Sequence, residues 1–149
     1  MEIADIVAQR GTCPRKSVGA VIVKESRVIS IGYNGAPPGL PHCTDVGCGG
    51  KEENPRFIPG ELTRHTEYIY PNGCTRALHA EMNAVAFAAR LGVPTHDAAL
   101  YCTCATCANC AALLVAAGIS RFVYFEDYRL KDGIDLLNDA GVEVVKWKP

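Results

Sequence analysis

The residues with the clearest capacity for chemistry are a histidine, a glutamate and two cysteines near the starts of two predicted helices. His79 and Glu81 lie two residues apart in HAEMNAVAFAAR, and Cys107 and Cys110 lie three apart in CANC. Side chains three residues apart share one side of a helix, and the positive end of the helix dipole favours thiolates. Two thiolates and one imidazole are three ligands of a tetrahedral zinc site that leaves one position for water, which is typical of catalytic zinc.

Glu81 has a role in such a site without being a ligand. Its surroundings are apolar, and a buried carboxylate is costly unless a partner compensates it. Beside an open metal position, it can take a proton from water and transfer that proton to a substrate. The alternative is that His79 caps a helix and the cysteines fill the core. Either motif alone is weak evidence, but both at the starts of successive helices favour the metal site.

The chain contains eight cysteines among 149 residues, at positions 13, 43, 48, 74, 102, 104, 107 and 110. The opening segment MEIADIVAQR is typical of an amphipathic helix rather than a signal peptide, so we expect a cytoplasmic protein. Metal binding is then a better explanation of the cysteines than disulfides are. Cys102 and Cys104 lie on a predicted strand, and we expect both to pack in the core.

Charge and hydropathy restrict the class of partner. The net charge is −1, and lysine and arginine are scattered singly rather than clustered. A protein that binds nucleic acid usually has a basic excess or stripe, so a small-molecule partner is favoured. No run of 18 apolar residues is present, which predicts that the chain does not span a membrane.

The elements that must position these residues follow from the hydrophobic pattern. Residues 2–10 predict a short helix with Ile3, Ile6 and Val7 on its apolar face. Two β-branched runs around the turn Lys24-Glu25-Ser26 predict a hairpin over residues 18–35. The later elements are a helix over 78–91, a strand over 98–103, a helix from near 107, a strand over 121–126, a helix over about 133–140 and a strand over 142–147.

This order predicts a single α/β domain over residues 1–149, a three-layer α/β/α sandwich with a mixed five-stranded sheet. Gly92, Gly118 and Gly141 follow the predicted helices, where a left-handed cap residue is common. Right-handed crossovers would place the starts of the two central helices side by side at one end of the sheet. Residues 36–75 hold too many prolines and glycines near their start for a helix or central strand, so we expect a loop that is functional or stapled by a metal.

The whole chain resembles the deoxycytidylate (dCMP) deaminases of bacteria and phages, within the zinc-dependent cytidine deaminase superfamily. The matching stretches are VGAVIV, GYNGAPPGLPHC, HAEMNAVAFAAR, ALYCT, CANCAALLVAAGISRFVY and EDYR. H-x-E followed by P-C-x-x-C is the signature of zinc nucleobase deaminases. One departure is Thr106, which stands where the family usually has proline; threonine can serve there as a helix N-cap.

The resemblance implies hydrolysis of dCMP to dUMP and ammonia, which would supply dUMP for thymidylate synthesis. Glu81 would protonate N3 of cytosine and then the leaving amine. Asn34 matches the residue that holds the sugar, although an asparagine before glycine is also a common turn residue. Tyr128 is a candidate to border the base. Candidates to bind the 5′-phosphate are Arg15, Lys16, Arg90 and Arg129, each of which is otherwise an ordinary surface charge.

The resemblance also implies regulation and assembly. Relatives are activated by dCTP, inhibited by dTTP and assembled as hexamers, and Mg²⁺ would accompany a bound triphosphate. The residues that match the nucleotide-regulated members are Gly32, Tyr33, Asn34, Gly35, Phe87 and Arg90.

A second, structural zinc is implied by phage relatives, in which it ties the loop to the rest of the domain. Cys13, Cys43 and His65 match three of its ligands. Ala77 stands where a phage relative has a carboxylate, so Cys74 is the candidate fourth ligand and Cys48 its alternative. These cysteines could instead be free or form a disulfide.

Three other functions compete with dCMP deamination. Two are a tRNA-editing deaminase, which the neutral charge disfavours, and a deaminase of free cytosine or cytidine; the GYNGAPPG stretch disfavours both. The third is a zinc-stapled protein that binds nucleotides without converting them. Such a protein would have no need of Glu81.

Overall fold

The computed structural model describes residues 1–46 and 76–149. Within these residues the chain forms five helices and five strands. They are α1 (Glu2–Ala8), β1 (Gly19–Lys24), β2 (Arg27–Tyr33), α2 (Cys43–Val46), α3 (Ala80–Arg90), β3 (Ala98–Cys104), α4 (Ala108–Ala116), β4 (Ile119–Glu126), α5 (Asp132–Asp139) and β5 (Glu143–Lys146).

The five strands form one mixed sheet in the order β2-β1-β3-β4-β5. Strand β1 pairs antiparallel with both β2 and β3, whereas β3, β4 and β5 are parallel. The predicted α/β fold with a mixed five-stranded sheet is therefore confirmed. The hairpin turn is one residue shorter than predicted, because Lys24 still pairs with Arg27 and only Glu25 and Ser26 form the turn. Both have positive φ, as a tight two-residue hairpin requires.

Helices cover both faces of the sheet, which gives the predicted three layers. On one face α1 packs against Val21 through Ala4 and Val7. On the other face, residues of α3, α4 and α5 form the main core with the sheet. Its largest fully buried side chains include Ile22, Leu100, Leu114, Phe122 and Leu137.

The prediction of the apolar face of α1 was partly wrong. Ile3 and Ile6 are 52% and 63% exposed, and the residues that contact the sheet are Ala4, Val7 and Ala8. The cause is Gly19 on β1, where an added Cβ would lie 2.1 Å from the carbonyl oxygen of Ala4. The helix lies this close to the strand because the residues that face Gly19 are the small Ala4 and Ala8, and Val7 packs against Val21.

Strand β2 meets α3 through a similar close approach. A Cβ at Gly32 would lie 2.2 Å from the carbonyl oxygen of Ala80 and 2.3 Å from the amide nitrogen of Ala84. The Ser30 hydroxyl on the same strand donates a 2.7 Å hydrogen bond to the Ala84 carbonyl. Strand β2 therefore sets the position of α3, and with it the position of His79 and Glu81.

Helix and loop boundaries largely follow the sequence. Gly92, Gly118 and Gly141 have φ of +67°, +73° and +78°, which confirms the predicted left-handed caps. The expectation that residues 36–75 contain no helix was wrong, since Cys43–Val46 forms one helical turn. Most of the predicted loop lies outside the described residues, as do Cys48, His65 and Cys74.

Of the helices that are described, none is long and apolar enough to cross a membrane.

Candidate metal and catalytic site

The starts of α3 and α4 lie side by side and bring three metal-binding side chains together. His79 and Cys107 are the N-cap residues of the two helices, and each has an extended backbone conformation. Cys110 is in the first turn of α4. The Nδ1 atom of His79 lies 3.5 Å from Sγ of Cys107 and 3.4 Å from Sγ of Cys110. This juxtaposition is what the spacing of the motifs and right-handed crossovers predict.

The geometry fits a tetrahedral zinc ion. With Zn–S near ~2.3 Å and Zn–N near ~2.0 Å, nitrogen and sulfur ligand atoms are separated by about 3.5 Å. The ligand atoms of His79, Cys107 and Cys110 all lie within 4.8 Å of one another. Two sulfurs and one imidazole nitrogen suit zinc and leave its fourth position to a non-protein ligand.

Proton sharing among the three ligands already favours a thiolate. The pKa of Cys107 is lowered to about 4, because the Cys110 thiol donates a hydrogen bond to its sulfur and His79 lies against it. The same hydrogen bond, together with burial, raises the pKa of Cys110. The pKa of His79 is raised, chiefly by its hydrogen bond to Cys107. The group therefore holds a negative sulfur beside a protonatable ring before any metal is bound.

Glu81 lies in the first turn of α3 and is only 4% exposed. Burial raises the pKa of its carboxyl group, while its own backbone N–H, the charge of His79 and the Thr106 hydroxyl all act in the opposite direction. Burial thus favours the protonated form of this carboxyl group and the polar neighbours favour the ionised form, and an acid and base catalyst must pass through both forms.

A cavity of about 150 Å³ opens beside these residues. His79, Glu81 and Cys107 line it, so the metal-binding group and the carboxylate face the same space. Four of the predicted substrate-binding residues also line it: Arg15, Lys16, Asn34 and Tyr128. Arg129 is not among its lining residues; its guanidinium lies 5.7 Å from the centre of the Tyr128 ring.

Asn34 is 8% exposed, and its side chain holds the segment that carries the two basic residues. Its Oδ1 accepts a 2.9 Å hydrogen bond from the Val18 backbone N–H, and its Nδ2 donates a 2.6 Å bond to the Lys16 carbonyl. Both ends of the amide are therefore used by the backbone of residues 16–18. This arrangement goes beyond the plain turn role considered for an asparagine before glycine.

The two basic residues differ in what they contact. The Lys16 ammonium forms a 2.6 Å ion pair with Glu126 and lies 3.4 Å from Sγ of Cys104. Arg15 is exposed, and its positive charge acts to lower the pKa of His79. Across residues 1–46 and 76–149, Arg15 makes no ion pair.

Three residues near the site have contacts that the sequence did not predict. Cys104 was expected to be core, and it is buried, but it also lines the cavity and contacts Lys16. Glu126 ends β4 and pairs with Lys16 across 110 positions, which no local pattern could indicate. Thr106 is fully buried, and its hydroxyl donates a 3.3 Å hydrogen bond to the Cys107 carbonyl. Its signal was the departure from the usual proline, but Cys107 and not Thr106 is the N-cap of α4. Cys102 is in the core as predicted.

The residues predicted for regulation differ in their burial. Gly32 and Gly35 are buried where a Cβ would collide, at Gly35 with the Thr12 hydroxyl 2.3 Å away. Phe87 and Arg90 are exposed on α3. Tyr33 is partly buried and packs with the cluster under α1.

Of the residues implied for a second zinc, only two are described. Cys13 lines the cavity, and Cys43 is buried at the start of α2. His65, Cys74 and the alternative Cys48 are outside the described residues, so the second site stays a prediction.

A three-layer fold with His-x-Glu at the start of one helix and Cys-x-x-Cys at the start of the next defines the zinc-dependent nucleobase deaminases. The profile of the cytidine and deoxycytidylate deaminase zinc-binding region matches residues 1–126. The chain belongs to this family.

Individual proteins support the assignment. The chain is 36% identical to deoxycytidylate deaminase of Enterobacteria phage T4 over an alignment 169 positions long, which covers 97% of this chain and 86% of that protein. It is 37% identical to ComE operon protein 2 of Bacillus subtilis, over 97% of this chain and 67% of that one. The crystal structure of dCMP deaminase from cyanophage S-TIM5 with dCMP and dUMP matches with a TM-score of 0.76 at 29% identity, covering 98% of this chain and 92% of that one.

Proposed function

We propose that this protein converts dCMP and water to dUMP and ammonia. The observation that carries the proposal is the buried Glu81 carboxyl group in one cavity with His79 and Cys107. A binding protein would have no reason to bury a carboxylate there, since burial without a chemical role is costly. The phage T4 relative and the solved cyanophage protein are named as deaminases of this nucleotide, which supports dCMP as the substrate.

His79, Cys107 and Cys110 would hold the zinc ion, which when bound supplies Lewis-acid activation of a water molecule. Glu81 would accept a proton from the attacking water, whose oxygen forms a bond to C4, and would deliver this proton to N3 of the pyrimidine ring. Glu81 would then take the remaining proton from that oxygen and pass it to the amino group on C4. The C4–N bond breaks, ammonia leaves, and the C4 carbonyl of uracil remains. One residue can serve both steps because a carboxyl group both accepts and donates protons.

Arg15 is our candidate for binding the 5′-phosphate. Lys16 lines the same cavity, but its charge is already paired with Glu126. A guanidinium offers two parallel donors to phosphate oxygens, and Arg15 makes no competing ion pair among the described residues. Asn34 keeps the segment of residues 16–18 beside the cavity and borders the sugar, while Tyr128 borders the base.

The substrate is tested by incubating purified protein with dCMP, CMP, deoxycytidine, cytosine and dCTP and measuring ammonia. We expect dCMP to give the highest kcat/KM, because a bound phosphate helps to orient the base. Equal efficiency with deoxycytidine or cytosine would make the protein a nucleoside or base deaminase. Adenosine-containing tRNA substrate tests the tRNA-editing alternative, and binding of dCMP without ammonia would leave only a nucleotide-binding role.

We further propose that the protein supplies dUMP for thymidylate synthesis in the cytoplasm, with activation by dCTP, inhibition by dTTP and assembly as a hexamer. The GYNG stretch at Gly32–Gly35, with Phe87 and Arg90, supports this extension through its resemblance to regulated relatives. Initial rates at low dCMP, with and without each triphosphate and Mg²⁺, measure the regulation. Multi-angle light scattering measures the assembly, and a monomer insensitive to both triphosphates would contradict the extension.

A further inference from the structure

Asn83 lies on α3 two residues after Glu81, and its side chain reaches strand β2. Its Nδ2 atom donates a 2.8 Å hydrogen bond to the carbonyl oxygen of Tyr33, the last residue of β2, although the two residues are 50 positions apart. The backbone N–H of Asn83 donates a 2.9 Å hydrogen bond to the His79 carbonyl. One partly buried residue therefore joins the end of β2 to the turn of α3 that holds a metal-binding side chain and the carboxyl group.

A backbone bridge joins the same two segments a second time. The Gly35 N–H donates a 3.1 Å hydrogen bond to the Leu78 carbonyl, and the Leu78 N–H donates a 2.9 Å bond to the Gly35 carbonyl. Leu78 directly precedes His79. Tyr33 and Gly35 are thus bonded to residues that lie on either side of His79 in the chain.

Asn34, between these two residues, is bonded to a different segment. Its carbonyl accepts a 3.0 Å hydrogen bond from the Thr12 N–H, and its backbone N–H donates a 3.1 Å bond to the Val18 carbonyl. Its side-chain amide bonds to the Lys16 carbonyl and to the Val18 N–H. These partners lie on both sides of Arg15, the candidate for binding the 5′-phosphate, so Asn34 determines where that segment lies.

Residues 33–35 therefore connect the segment that would bind the phosphate to the helix that carries the metal-binding and proton-transfer groups. A substrate bound at both ends has its reactive carbon placed by the distance between them. Because a misplacement of about 1 Å can slow a reaction greatly, the bonds that set this distance affect turnover without contacting the substrate. The Asn83 amide is the side chain that holds residues 33–35 to α3.

We propose that Asn83 is a positioning residue that sets where the phosphate-binding segment lies relative to His79 and Glu81. The role deepens the proposed function and rests on it. A wild-type protein that does not deaminate dCMP would fail the proposed function itself. An active wild-type protein whose turnover of dCMP is indifferent to the Asn83 amide would fail only the positioning role.

The kinetic test uses Asn83→Ala, which removes the amide and keeps the helix, because alanine is the best helix former. The matched control is Asn138→Ala, since Asn138 is exposed on α5 and does not line the cavity. We expect Asn83→Ala to lower kcat/KM for dCMP about threefold to tenfold, the range for one lost hydrogen bond between neutral groups. The value for deoxycytidine should stay within about twofold of wild type, because the nucleoside has no phosphate to align. Asn138→Ala should change neither value.

A double-mutant cycle separates positioning from a general effect on the fold. If Asn83 acts through the segment that carries Arg15, its loss should matter little once the guanidinium is absent. We therefore expect Asn83→Ala to lower kcat/KM for dCMP less than about twofold in the Arg15→Ala background. A role in stability alone would give the same factor in both backgrounds.

Hydrogen exchange measures the same connection without turnover. The Val18 N–H donates to Asn34 Oδ1, and the Thr12 N–H donates to the Asn34 carbonyl. Both amide protons should exchange faster in Asn83→Ala than in wild type or Asn138→Ala, because residues 33–35 are then held by fewer bonds. If Asn83→Ala fails to fold or to bind zinc, Asn83→Leu keeps a side chain of similar size without a donor and replaces it.

Three results would overturn the role of Asn83. The first is a kcat/KM of Asn83→Ala for dCMP within about twofold of wild type. The second is an equal loss on dCMP and deoxycytidine that recurs unchanged in the Arg15→Ala background, since Asn83 would then only stabilise the fold. The third is unchanged exchange of the Thr12 and Val18 amide protons.

Discussion

The Nδ1 atom of His79 lies 3.5 Å from Sγ of Cys107, although the two residues are 28 positions apart. Between them in the chain are the whole of α3 and β3. The contact exists because each residue is the N-cap of its helix and because both helices start at the same end of the sheet. A separation close to that of ligands around one zinc ion is therefore a consequence of the α/β crossover and not of local sequence.

Replacing Glu81 with glutamine should abolish turnover and leave the metal in place. The amide is close to isosteric but cannot accept or deliver the proton, so we expect kcat to fall by about a hundredfold or more. Zinc content per chain and the melting temperature report whether the site is intact. Activity within about tenfold of wild type, a change of only ~1.4 kcal/mol in the barrier, would remove Glu81 from the mechanism.

Zinc binding should release protons and weaken in acid. The pKa of Cys107 is lowered to about 4, whereas that of Cys110 is raised, so at neutral pH the second thiol still carries its proton. Both sulfurs must be thiolates to bind zinc, and that proton has to leave. Calorimetric titration of metal-free protein in two buffers with different ionisation enthalpies measures the release. Identical enthalpies in both buffers, or an affinity that does not fall as the pH is lowered, would contradict this prediction.

Arg15→Ala should impair dCMP far more than deoxycytidine. If the guanidinium binds the 5′-phosphate, its loss should reduce kcat/KM for dCMP by about tenfold to a hundredfold, with little effect on the nucleoside. Arg10→Ala is the matched control, because Arg10 is also exposed and does not line the cavity. Equal losses on both substrates would show that Arg15 supports the fold of the site and does not bind phosphate.

Gly32→Ala should disturb the metal site from a distance. A Cβ there would meet the backbone of α3 at 2.2 Å, and neither the strand nor the helix backbone can move far within a packed core. We expect a loss of about 1–3 kcal/mol in the free energy of unfolding and weaker zinc binding, because α3 carries His79 and Glu81. Denaturant unfolding and zinc titration measure the two effects. The control is Ala86→Ser, which lies on the exposed side of α3. A stable Gly32→Ala variant that has lost only its response to triphosphates would instead assign Gly32 to regulation.

A second zinc site would double the metal content. If Cys13, Cys43, His65 and either Cys74 or Cys48 bind zinc, fully loaded protein should contain two zinc ions per chain by elemental analysis. Four protein ligands close a site and make it structural, so the double substitution Cys13→Ser and Cys43→Ser should remove one ion and lower the melting temperature. One zinc per chain, unchanged in the double variant, would rule this site out.

Much of the fold was predictable because its determinants are local. Alternating and continuous β-branched runs predicted the hairpin and the later strands, and glycine at positions 92, 118 and 141 predicted where helices end. The order of these elements then predicted the sheet, since crossover handedness leaves few alternatives. The zinc ligands were predictable for the same reason: each motif is short, and each lies at a helix start.

The sequence by itself determined the element order, the His-x-Glu and Cys-x-x-Cys motifs and the residue types beside them. Only the tertiary structure decided which neighbours those residues have. It pairs Lys16 with Glu126, leaves Arg15 without an ion pair in the described chain, and turns both ends of the Asn34 amide toward residues 16–18. It also packs Ala4 and Ala8 against Gly19 and leaves Ile3 and Ile6 exposed. These contacts join residues far apart in the chain, and their distances depend on strand register and helix-to-sheet spacing, which no local pattern encodes.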